Sequence, residues 1–96
     1  MGKKSKRKGY RIEYELVKKL NERGINAKRI PLSGGSWLKG DILIDNFICE
    51  VKARANGFRE IYKWLEDKDF LFIKADRKDY LVVMSLDKFI NLMRGK

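Results

Sequence analysis

The amino-acid sequence predicts a mixed α/β domain, with a central β-sheet of about five strands flanked by helices, in the order α-β-β-β-α-β-β-α. Three observations predict it. Apolar residues recur at helical spacing near both ends, as Ile12, Leu16, Val17 and Leu20 and again as Leu86, Phe89, Ile90 and Met93. Short apolar segments separated by turn residues run between those stripes. No repeat and no linker divides the chain, whose 96 residues are enough for a single core. Residues 1–8 read as a disordered basic arm and residues 9–96 as one domain.

Residues 10–23 read as the first helix, ended by Gly24. At about 100° per residue, Glu13 falls in the middle of its apolar stripe, whereas Glu15 points away with Lys19 and Glu22. A carboxylate on a buried face is costly without a partner. Glu13 therefore either pairs with a base as a structural ion pair or joins a site beneath the helix. Asn26 to Leu32 reads as the first strand, with Pro31 marking an edge or exit. Ser33-Gly34-Gly35-Ser36 is a flexible loop, followed by Trp37, Lys39 and Gly40. Residues 41–53 read as a hairpin, and Ala55-Asn56-Gly57 as a break.

Residues 58–66 form a short helix on Phe58, Ile61, Tyr62 and Leu65. Phe70-Leu71-Phe72-Ile73 is apolar on both faces and reads as a buried strand. Asp76 to Asp79 turns the chain into a strand from Tyr80 to Met84, and Ser85 can cap the last helix.

The net charge is +10, from 23 Lys and Arg against 13 Asp and Glu. Lys3, Lys4, Lys6, Arg7 and Lys8 concentrate part of it at the N-terminus. Such a balance fits a polyanionic partner, nucleic acid first; the plainer reading is a solubilising tail and solvated helix faces. The tail lacks apolar residues to enter a membrane, and no run is long enough to span one. One cysteine excludes an internal disulfide framework, and Cys49 reads as a small buried residue. The chain reads as intracellular, in the cytoplasm. It has no histidine, which excludes His-based zinc sites and His acid–base catalysis.

The hairpin concentrates the chemistry. Ile42-Leu43-Ile44 and Phe47-Ile48-Cys49 flank Asp45-Asn46, the pattern of a two-residue turn. That register places Ile42 opposite Cys49 and Asp41 opposite Glu50, with Lys52 on the same face as Glu50. Like charges facing each other destabilise a sheet, and a divalent cation between them would relieve the conflict. The candidate site is thus Glu13, Asp41, Glu50 and Lys52. Three carboxylates without His or Cys select Mg²⁺ (or Mn²⁺) over zinc. Such a cation can polarise a phosphodiester and activate water, with Lys52 on the phosphate, the water or the developing charge. Taken singly, each residue also fits a solvated hairpin face or a paired helix carboxylate.

Asp41-x8-Glu50-Val51-Lys52, after a helix bearing Glu13, resembles the PD-(D/E)XK nuclease motif, with Gly40 in place of the usual proline. Lys8-Gly9-Tyr10-Arg11-Ile12-Glu13-Tyr14-Glu15-Leu16, then Lys28-Arg29, then Ser33-Gly34-Gly35-Ser36, resemble the N-terminal half of archaeal-type Holliday junction resolvases and small phage resolvase-like endonucleases. The resemblance runs from Lys8 to about Arg54. It implies a restriction-endonuclease-like fold, with Glu13, Asp41 and Glu50 as metal ligands and Lys52 as the catalytic lysine. It implies that Arg29 contacts DNA near the site, and that a serine of the loop holding Ser33 and Ser36 assists. It also implies a homodimer acting on four-way DNA junctions. The alternatives are a phage-type nuclease without junction preference and a basic DNA-binding module without activity.

DNA contact also follows from the residues themselves. The basic arm would neutralise phosphates, Arg29 and Lys39 flank the site in sequence, and the glycines of the 33–36 loop leave backbone N–H groups open to phosphate. Trp37 can stack on a base or fold back onto the core. Trp64, off the main stripe of its helix, fits a dimer surface or an extended core equally.

Overall fold

The computed structural model describes residues 2–31 and 39–95, with side chains from Gly9 onward. The chain forms two compact units, Met1–Ala53 and Arg54–Lys96. Their boundary falls beside the break read at Ala55-Asn56-Gly57.

The first unit opens with helix α1 (Gly2–Glu22). The backbone is helical from Gly2 rather than from residue 10, so the segment read as a disordered arm continues the helix. Lysine and arginine are good helix formers and no proline intervenes, while Gly9 costs only about 1 kcal/mol. The helix ends as expected at Gly24, whose φ of 86° suits glycine. Ile25 N–H donates to the Leu20 carbonyl at 2.9 Å and Gly24 N–H to that of Asn21 at 3.1 Å, a Schellman termination. Leu20 and Ile25, the apolar pair such an ending brings together, are both buried.

Asn21 then starts the sheet. Its side-chain oxygen accepts from Ala27 N–H at 3.0 Å and its amide donates to the Ala27 carbonyl at 3.2 Å. One side chain thus serves both backbone groups of the first residue of strand β1 (Ala27–Arg29). Strands β2 (Ile42–Ile44) and β3 (Phe47–Cys49) complete an antiparallel sheet of order β1-β2-β3. The expected hairpin register is the observed one: Ile42 pairs with Cys49, Leu43 with Ile48 and Ile44 with Phe47. Asp45 makes the turn with φ 52°, and its N–H donates to the Asn26 carbonyl at 2.8 Å. Among the described residues the core of this unit is Leu20, Ile25, Ala27, Ile30, Ile42 and Ile44. Burying a side chain such as Leu20 or Ile42 contributes about 1.5–3 kcal/mol.

The second unit contains helix α2 (Arg59–Leu65), strands β4 (Leu71–Ile73) and β5 (Leu81–Val83), and helix α3 (Leu86–Met93). Ser85 caps α3 as expected, accepting from Lys88 N–H at 3.2 Å. Lys88 also reaches Asp69 at 3.1 Å and lies over the Phe70 ring. Ile90 is its buried residue.

The order of elements is the expected one, but the single mixed sheet is not. Among the described residues the strands form two sheets, β1-β2-β3 and β4-β5, and every pairing is antiparallel. Each strand spans three residues and pairs with a sequence neighbour, which requires no crossover. Phe72 is 65% exposed, so the segment Phe70–Ile73 is not a strand buried on both faces. No described helix is long and apolar enough to cross a membrane.

Candidate active site

Asp41 sits at the start of the central strand of the first unit, held from both sides. Its carbonyl accepts from Ile30 N–H and its own N–H donates to the Cys49 carbonyl, each at 2.9 Å. Since Ile42 is the residue paired with Cys49, two residues of one strand now meet one of the other, as in a β-bulge. This corrects the expected pairing of Asp41 with Glu50: the ladder ends at Ile42 and Cys49. The Asp41 carboxylate instead accepts the Val51 N–H at 2.7 Å. The conflict of facing carboxylates is relieved by the backbone.

Gly40 makes this geometry possible. Its φ is 154°, and a Cβ built on it would lie 2.5 Å from Ile48 Cγ2 and 3.3 Å from the Cys49 carbonyl oxygen. Proline, locked near −65°, could not stand there. The departure from the usual proline therefore has a local physical cause.

Glu50 and Lys52 share a face as expected, and their charged groups lie 3.1 Å apart. Both side chains are more than half exposed. The Glu13 carboxylate is better shielded than that of Glu50. Its Oε1 accepts from Arg29 Nε at 3.1 Å, with the Glu13 side chain 14% exposed. Glu13 is thus paired with a base, as the first of its two readings expects. Arg29 also lies against the rings of Tyr10 and Tyr14, 4.9 and 5.0 Å from their centroids. The sequence reading missed both tyrosines, although Tyr10, Glu13 and Tyr14 stand at i, i+3 and i+4.

Residues 4–63, more than half of the chain, match the family model described as archaeal Holliday junction resolvase (Hjc). The chain belongs to the archaeal Holliday junction resolvase family. That family is part of the PD-(D/E)XK nuclease superfamily. No curated protein and no solved structure matches the chain.

In this resolvase-family site the donors have the right chemistry for a hard divalent cation, being carboxylates alone. Their placement is not a ready-made cage: among the described residues no three Asp, Glu or Cys side chains are grouped closely enough to hold a metal ion. Each carboxylate has an internal partner: Arg29 for Glu13, the Val51 N–H for Asp41 and Lys52 for Glu50. Lys39 is exposed, just before Gly40. Ser33, Ser36 and Trp37 lie outside the described residues, as do the side chains of Lys3, Lys4, Lys6, Arg7 and Lys8.

Proposed function

We propose that this chain is a metal-dependent endonuclease that hydrolyses DNA phosphodiesters at four-way junctions and acts as a homodimer. What carries the reading is the hairpin of the first unit. In a chain of the resolvase family it retains Asp41, Glu50 and Lys52 at the nuclease spacing, with the Asp41 backbone bonded to both neighbouring strands.

A bound Mg²⁺ or Mn²⁺ would polarise the phosphate and make a water more acidic. Asp41 and Glu50 would hold it, joined by the second oxygen of Glu13 while Oε1 keeps Arg29. Mg²⁺ needs only one or two protein carboxylates beside waters and substrate phosphate. Lys52 leaves Glu50 at little cost, because an exposed pair contributes at most about 1 kcal/mol. Its ammonium then meets the negative charge that builds on the phosphate oxygens as water adds to phosphorus and one P–O ester bond breaks. Lys39 and the basic first turns of α1 would bind neighbouring phosphates.

A symmetric junction needs two cuts, and a two-fold assembly presents two sites. The second unit offers an apolar surface for it. Phe72 pairs with Val82 on one face of β4–β5, and the two are 65% and 49% exposed.

The test is cleavage of a synthetic four-way junction and of linear duplex, with Mg²⁺ and with EDTA, by wild type and Asp41→Asn. The expected result is Mg²⁺-dependent cutting of the junction by wild type, and binding without cutting by Asp41→Asn. Equal cutting of both substrates would indicate a nuclease without junction preference. Binding without cutting by wild type would indicate a non-catalytic DNA-binding module.

A further inference from the structure

Three side chains of α1 converge on one guanidinium. Tyr10, Glu13 and Tyr14 contact Arg29, the rings at 4.9 and 5.0 Å and the carboxylate at 3.1 Å. The negative face of an aromatic ring attracts a cation within about 6 Å. Glu13 engages Arg29 through Nε. Among the described residues none accepts a hydrogen bond from the two terminal nitrogens of Arg29. Those nitrogens form the planar fork that matches two oxygens of a phosphate. An arginine side chain free in solution loses much rotamer freedom when it grips such a group, and one already held loses less.

We infer that Tyr10 and Tyr14 are positioning residues: with Glu13 they form a cradle that holds Arg29 for a DNA backbone phosphate. The inference rests on the DNA binding that the proposed function includes. The cradle acts through ring faces, so the phenol hydroxyls are dispensable and phenylalanine serves in place of tyrosine.

Binding of a synthetic four-way junction, measured in EDTA so that no cleavage intervenes, tests this. Arg29→Gln weakens binding about tenfold or more, the order expected for losing charge-assisted hydrogen bonds to phosphate. Tyr10→Leu with Tyr14→Leu weakens it by a similar factor, whereas Tyr10→Phe with Tyr14→Phe stays within about twofold of wild type. In the Arg29→Gln background the leucine pair has no further effect, because residues acting through one group are not additive. The Arg29 Nε–H resonance of ¹⁵N-labelled protein without DNA exchanges slowly in wild type and the phenylalanine pair, and quickly in the leucine pair. That readout establishes the cradle independently of DNA. Unchanged binding by the leucine pair beside a weakened Arg29→Gln overturns the cradle and leaves the proposed function standing. Additive losses overturn it as well, by making the tyrosines direct DNA contacts. Wild-type binding by Arg29→Gln overturns the phosphate role altogether. The expected binding pattern in a protein that never cuts supports the cradle and removes the nuclease reading alone.

Discussion

The Asp41 carboxylate and the Val51 backbone are bonded across the open end of the hairpin, Oδ2 accepting the Val51 N–H at 2.7 Å. One oxygen of a candidate catalytic carboxylate thus also closes the strand pair beyond its last ladder residues. Asp41→Asn keeps an oxygen acceptor and costs less than about 1 kcal/mol, whereas Asp41→Ala leaves the N–H without its partner and costs about 1.5–3 kcal/mol. Urea unfolding measures both, and neither variant cuts DNA. Equal stability of the two would show that this bond does not hold the hairpin closed.

Gly40→Ala destabilises the first unit by about 2 kcal/mol or more, from backbone strain at φ 154° and the 2.5 Å approach to Ile48 Cγ2. Ile48 is half exposed, so Ile48→Ala costs little alone and removes the atom in the way. The double variant recovers the steric share of the loss and keeps the strain. Thermal unfolding of the three variants tests this, and a double variant no more stable than Gly40→Ala would rule out the steric share.

The basic start of α1 makes a prediction about salt. Lys3, Lys4, Lys6, Arg7 and Lys8 carry five positive charges with no acidic residue among them, a composition that suits phosphate binding. Deleting residues 1–8 weakens junction binding and flattens the dependence of log K on log salt, in proportion to the number of phosphates those residues neutralise. A titration from low to moderate salt measures the slope, and an unchanged slope removes this segment from the DNA interface.

Partial burial pushes the Cys49 thiol above its ordinary pKa. Fewer thiolates are then present near neutral pH, and the thiolate is the reactive form. Alkylation by iodoacetamide at pH 8 is therefore slower than that of a free cysteine, and its rate climbs at higher pH than for the free thiol. Unfolding in urea restores the free rate. A native rate equal to the free rate would contradict the shielding of Cys49.

Local patterns were legible wherever short-range chemistry decides structure. Asp45-Asn46 between two apolar runs sets a two-residue turn, and the turn sets the register of Ile42 with Cys49. Ser85 caps α3 because its oxygen reaches the Lys88 N–H. Gly24 ends α1 because a left-handed residue lets Ile25 reach back to Leu20. The same logic failed one residue beyond the ladder. Strict alternation sets Asp41 against Glu50, but Gly40 admits a conformation that alternation does not describe, and Asp41 N–H turns to Cys49.

The sequence by itself determined the order of elements, the hairpin register and the nuclease motif, all of which depend on neighbours within about ten residues. Tertiary structure alone decided that the strands separate into sheets of three and two, because apolar runs show that strands exist without showing which edges pair. It also decided the partner of each charge. Glu13 and Arg29 are sixteen residues apart, and only the packing of α1 on β1 brings that carboxylate and two tyrosine rings to one guanidinium.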